Sequence, residues 1–246
     1  MFKKLLASVG VGGAEVDTLV LQETVEPGGR LAVNVVIRGG SVEQSISGLN
    51  LTLLTRVKVE GEEGDHYRNQ QLQSWQLSEA FTLQPGEQRE FPLQLDIHLE
   101  TPLTALSSYR NQCRVWLQTG LEIDLALDAG DNDELRVVPT SAMANFMQAM
   151  ESLGFQMAKA DVEAGYLQSQ QFRSSTGCYQ ELEYKPSGLL NSIQEVEVSF
   201  VPQGGQTHSL IEVDRFLRGD GYMAMSWDET TTAAELQARL RQLLRL

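Results

Sequence analysis

Three histidines, His66, His98 and His208, two cysteines, Cys113 and Cys178, and the acidic run Asp128-Ala129-Gly130-Asp131-Asn132-Asp133-Glu134 are the residues whose chemistry could serve a metal or a nucleophile. No two histidines have the short spacing that lets one turn present both to a metal, and no Cys-His cluster accompanies them, so no zinc site is read. Asp128, Asp131 and Asp133 resemble part of a calcium loop, but the glycine and distal glutamate of an EF-hand are not in place. Clustered Asp and Asn between strands more simply make a solvated turn held by side-chain-to-backbone bonds. Gly10-Val11-Gly12-Gly13 lacks the third glycine of a dinucleotide fingerprint and follows a helix signal rather than a strand. There is no P-loop, no nucleophile elbow and no basic patch interleaved with aromatics. No catalytic, cofactor-binding or metal-binding residue is therefore named. The chain reads as a non-enzyme, and its partner-binding residues stay open.

Charge sets the class of partner. A formal net charge of -14 over 246 residues opposes nucleic acid and anionic lipid, because both require a positive surface. A basic protein surface suits it better. Two cysteines far apart make no disulfide framework and read as free thiols in a reducing cytoplasm. No apolar run is long enough to span a bilayer. Lys3-Lys4 followed by Leu5-Leu6-Ala7-Ser8-Val9 begins like a signal peptide, but glycines and then Glu15 and Asp17 break it early, so export is not expected. Phe2, Leu5, Leu6 and Val9 fit one face of a short helix instead. Docking of that helix on the protein's own body is the first reading; membrane or division-site contact is the second.

The elements that would position any site are strands. Val25-Glu26-Pro27-Gly28-Gly29-Arg30 turns the chain into Leu31, Val33, Val35 and Ile37, which share one face of an extended segment. Val16 to Val25 is its hairpin partner, and Leu49 to Val59 alternates again. Ser74 to Leu83 carries Trp75, Leu77 and Phe81. Pro85-Gly86-Glu87 leads into Phe91 to Ile97, with Pro92 fit only for an edge or a strand start. Cys113 to Thr119 and Leu121 to Leu127 read as two strands separated by Gly120. Regular short strands with turn signals between them give an all-β sandwich.

Beyond Pro139 a second unit begins. Thr140 or Ser141 can cap a linker helix with Met143, Phe146, Met147 and Met150 on one face and Gly154 as its stop. Cys178 to Tyr184, Gln194 to Phe200 and Ser209 to Arg215 alternate, which fits another sandwich. A C-terminal amphipathic helix follows, with Thr232 and Glu235 at capping-box spacing and Leu236, Leu240, Leu243 and Leu244 on one face.

Taken in order, Phe2 to Ser8, Val25 to Gly40, Phe81 to Glu87, Thr101 to Thr104, Val115 to Asp124, Glu195 to Val198 and Glu212 to Arg215 resemble the bacterial sporulation-control protein family of arrestin-like fold. The resemblance covers nearly the whole chain. It implies an all-β protein of two tandem arrestin-like β-sandwiches, residues 1–139 and 140–246, with short N-terminal, linker and C-terminal helices. It also implies a cytoplasmic regulator without catalysis. The combined expectation is a non-catalytic adaptor or scaffold acting through protein–protein interaction, without cofactor or nucleic acid and with self-association open through its sheet edges. A small-molecule-binding sandwich or an enzyme is the weakest alternative.

Overall fold

A computed structural model describes residues 12–61, 64–124, 127–188, 192–216 and 221–246. The expected helix carrying Phe2, Leu5, Leu6 and Val9 lies outside them, as do Gly10 and Val11 of the glycine run. The chain is all-β with few helices. In order it forms β1 (Glu15–Val20), β2 (Arg30–Arg38), β3 (Gln44–Val59), β4 (His66–Ser78), β5 (Phe81–Leu83), β6 (Gln88–Asp96), β7 (Arg110–Asn111), β8 (Val115–Ile123) and β9 (Ala129–Glu134). Then come α1 (Ser141–Ser152), β10 (Phe155–Ala164), β11 (Cys178–Pro186), β12 (Ile193–Gln203), β13 (Gln206–Arg215), β14 (Gly221–Trp227) and α2 (Ala233–Leu244).

In the first half the small sheet β1-β2-β6 faces a larger layer built on β3 and β8. Leu31, Val33, Val35 and Ile37 of β2 are buried, and they share one apolar cluster with Leu49, Leu51, Leu53 and Leu117. The hydrophobic period of two thus places the inner face of each layer. The turn before β2 depends on Gly28, at φ +75°, where an added Cβ would come within 2.5 Å of the Leu99 side chain. Pro92 lies in β6, an edge of the small sheet, as its missing N–H requires.

Two expectations change. Gly120 does not separate two strands: β8 runs through it, paired with Asn50 of β3 and Gly130 of β9. An added Cβ there would meet the Asn50 side chain at 2.7 Å, so the glycine serves a close approach between strands. The acidic run is not a plain solvated turn either. Residues 129–134 form β9, and the Asp131 carboxylate accepts the Thr18 N–H of β1 at 2.8 Å, joining the two layers at their edge. Asp131 and Asp133 alternate with Gly130 and Asn132, a strand period that the acidic composition conceals.

The second half carries β10 to β14 in one sheet, and the layer burying its apolar face is helical. Thr140 caps α1, and Gly154, at φ +85°, follows its end. Phe146 stacks on Trp227 at 5.1 Å and meets Phe200 edge-on at 5.3 Å, while Trp227 Nε1 donates to the Ala142 carbonyl. Both bonds of the Thr232–Glu235 capping box are present, and Leu236, Leu240 and Leu244 are buried, so α2 docks on its own chain. A helix of twelve residues needs such burial to persist.

The halves are continuous. β3 meets β10 in parallel at Lys58 and Glu163, so one sheet runs from β14 to β9. The main apolar cluster also spans both halves.

Candidate functional site

The feature that burial does not explain is the outer face of the second sheet. Along β10 to β13 the apolar residues Ala160, Leu182, Val196, Val198, Ile211 and Val213 are buried, and the alternate positions carry charge. Strand pairing sets Asp161 beside Glu181, Glu183 beside Glu197, Glu197 beside Glu212, and Glu195 beside Asp214. Like charges directly opposite on neighbouring strands destabilise a sheet. Burial, then the charges of Glu197, Glu163 and Asp161, push the Glu181 carboxyl up to about 8. Burial, then Glu212 and Glu195, push Glu197 up to about 7. Glu195 is raised as well, chiefly by burial and the Glu183 charge.

Lysines answer only one end of this face. Lys58 reaches Glu163 and Glu60 at 3.1 Å and Asp65 at 3.5 Å, clamping the strand junction. Lys159 lies 2.8 Å from Asp161, and Lys185 bridges Glu183 at 3.0 Å and Glu195 at 3.3 Å. Burial works against the Lys159 charge, but the Asp161 carboxylate and the Glu183 charge raise its pKa overall. Asp161, Glu163 and Glu181 could bring ligand atoms within 4.8 Å of one another. Lys58 and Lys159 already supply cations to two of the three, and Glu181 holds its proton near neutral pH, so these residues make a poor metal cage. Glu197, Glu212 and Asp214 form the stretch with no ion pair among the described residues.

A second polar cluster ties the halves together. The Glu100 carboxylate accepts from the Ser175 N–H at 2.9 Å, the Ser175 hydroxyl at 2.7 Å and the Thr176 hydroxyl at 3.1 Å. Gln180 accepts from the Leu103 N–H at 2.9 Å and donates to the Leu103 carbonyl at 2.8 Å. Its amide also lies 3.0 Å from the Cys113 sulfur. Cys113 and Cys178 are free and buried, and burial pushes their thiols up to about 12 and about 11, the opposite of a reactive cysteine.

The histidines go to separate structural tasks. His98 Nδ1 accepts the Glu100 N–H, His208 bonds the Ser226 hydroxyl and stacks on Phe172, and His66 is exposed at the start of β4. No titratable pair of the kind used in acid–base or nucleophilic work is assembled among them.

A family model described as SpoOM protein matches residues 2–217. The chain belongs to the SpoOM family. The sporulation-control protein spo0M of Bacillus subtilis (strain 168) is 32% identical over 220 residues, covering 89% of this chain and 82% of the relative. The crystal structure of Spo0M from Bacillus subtilis superposes with a TM-score of 0.84 at 26% identity, covering 96% of this chain and 99% of that one. The SpoOM resemblance carried by the ordered sequence fragments therefore holds, and with it the all-β fold. No helix among the described residues is long and apolar enough to cross a membrane.

Sequence reasoning quoted Glu195 to Val198 and Glu212 to Arg215 for family membership and for core alternation, and missed the face they build. The usable signal was the second residue of each alternation. Asp161-x-Glu163, Glu181-x-Glu183, Glu195-x-Glu197 and Glu212-x-Asp214 repeat one acidic step on four strands.

Proposed function

We propose that this SpoOM-family protein is a non-catalytic sporulation-control adaptor of the cytoplasm, which recruits a basic protein surface to the acidic outer face of β11 to β13. The observation that carries the reading is the row Glu183, Glu197, Glu212, three carboxylates side by side across three strands, of which Glu183 is paired with Lys185 while Glu197 and Glu212 have no ion pair among the described residues. Such a row costs stability in the free protein, and a cationic partner relieves that cost on binding. Functional sites are where such local conflicts are kept. Supporting the same reading, the overall charge of -14 steers basic partners toward the molecule. Two free, buried thiols suit a reducing compartment. The relative's name supplies the regulatory setting.

The test uses a defined probe, a peptide of alternating lysine and valine, titrated into the full chain at several salt concentrations. Binding is expected to weaken as salt rises, and to fall about tenfold or more in a Glu183→Gln/Glu197→Gln/Glu212→Gln variant. A Glu23→Gln/Glu26→Gln/Glu79→Gln variant, three exposed carboxylates elsewhere on the molecule, is expected to keep most of the affinity. Equal losses in the two variants would mean that net charge alone attracts the peptide, and the reading would fail.

A further inference from the structure

The longest edge strand among the described residues carries neither lysine nor proline. β4 has thirteen residues and pairs with β3 along one side, and no described strand lies on its other side. Proteins protect such edges with lysine, proline, charges, bulges or brevity, because unpaired N–H and C=O groups template pairing with another chain. The other edges have these devices. β6 carries Pro92 with Arg89, Glu90 and Asp96, and β9 and β1 are short and acidic. β14 has seven residues, and its Ser226 carbonyl already accepts from Arg239 at 2.8 Å. β4 has no proline, no lysine and no carboxylate, in a chain with 33 acidic residues, and its one arginine is Arg68. Register shifts opposite Leu53/Leu54 and Leu49/Asn50 interrupt it, but they leave the regular runs His66–Gln71 and Gln73–Gln76.

Charge decides what fits this edge. Two copies at -14 each repel over most of their surfaces, so approach is least opposed where carboxylates are missing. β4 is such a strip, and at thirteen residues it is longer than the other carboxylate-free edge, β14 with seven. Its exposed side chains are also complementary to each other: the Gln71 and Gln76 amides each carry donors and an acceptor, so a two-fold axis between them can set Gln71 of each copy against Gln76 of the other without placing a charge in that pair. Antiparallel pairing about such an axis consumes both edges at once and stops at two chains.

We propose that β4 pairs antiparallel with β4 of a second copy, forming a closed two-fold dimer in which the two large sheets join into one. The inference does not rest on the adaptor reading, since it concerns a different strand and a different chemistry.

Sedimentation velocity of the full chain over a range of concentrations tests it. The wild type is expected to sediment as a dimer that dissociates reversibly on dilution. Gln71→Lys/Gln76→Lys, at exposed side chains, is expected to weaken the dimer about tenfold, because like charges then face each other across the new strand pair. Gln71→Glu/Gln76→Glu should weaken it as well, and an equimolar mixture of the two variants should restore dimer as the mixed pair. A monomeric wild type at every concentration would overturn the proposal, as would a dimer indifferent to both variants or a mixture that fails to re-form dimer. Loss of dimer in Ala224→Lys with β4 intact would assign the contact to β14 and overturn it equally. Growth beyond two chains with concentration would exclude the closed two-fold arrangement.

Discussion

The first half of the chain buries sheet against sheet, whereas the second buries its sheet against two helices, and their charged residues are spent differently. In the first half Asp131 is drawn into the join between layers, where it accepts the Thr18 N–H. Burial and the neighbouring Asp131 push Asp133 up to about 6. In the second half the carboxylates stand in rows on the outer face, and lysines pair only those at one end of it. A sheet covered on one face by α1 and α2 sets half-buried carboxylates side by side on its other face, and that like charge costs stability.

The largest expected effect removes the helical layer. Phe146 is fully buried between Trp227 and Phe200, so Phe146→Ala should cost about 3–5 kcal/mol by urea unfolding. Because the main apolar cluster spans both halves, the transition should stay single; two resolved transitions would show that the halves fold independently. Next comes the join of the first half. The Thr18 and Thr119 hydroxyls bond each other while buried, so Thr18→Val should cost about 1–3 kcal/mol by leaving Thr119 unpaired. Thr18→Val/Thr119→Val should recover most of that loss, and a double variant no better than the single would refute the pairing account.

Smaller still is the cost of the acidic face, and its sign is opposite. Burial and the Glu212 and Glu195 charges hold Glu197 at about 7, above its value in the unfolded chain, so the folded state binds the extra proton. The stability linked to it is present at low pH and is lost as pH rises through about 7. Glu197→Gln should therefore stabilise the protein by about 1 kcal/mol at pH 8, after allowance for solvent screening, and by little at pH 4. An equal gain at both pH values would remove ionisation as the cause. The smallest effect is expected at the exposed start of α2, where Thr232→Ala loses the hydroxyl that accepts the Glu235 N–H, while the backbone N–H of residue 232 still donates to the Glu235 carboxylate, and should cost about 0.5–1 kcal/mol. Thermal unfolding unchanged by that substitution would show that α2 is held by its leucine face alone.

Much of the fold was legible because burial imposes periods on single segments. Leu31, Val33, Val35 and Ile37 announce β2, and Ile211 and Val213 announce β13, each by alternation. Thr232 and Glu235 mark the start of α2, since the backbone N–H groups of a first turn need partners of that kind. What failed to show had its signal diluted. β4 is rich in glutamine rather than β-branched residues, β9 is hidden by its Asp and Asn content, and Gly120 reads as a break although it lies in the middle of β8. The candidate face stayed hidden for another reason: each Glu-x-Glu step reads locally as the solvated side of a strand.

By itself, then, the sequence determined which residues alternate, where α1 begins and ends and where α2 begins, that the chain is strongly acidic, and to which family it belongs. Each of these is a property of one segment or of composition. Only the tertiary structure decided that α1 and α2 cover the second sheet, that Lys58 and Glu163 splice β3 to β10, and that Glu183, Glu197 and Glu212 stand abreast. Those facts depend on strand order and register between distant segments, which the whole core selects together and no single segment encodes.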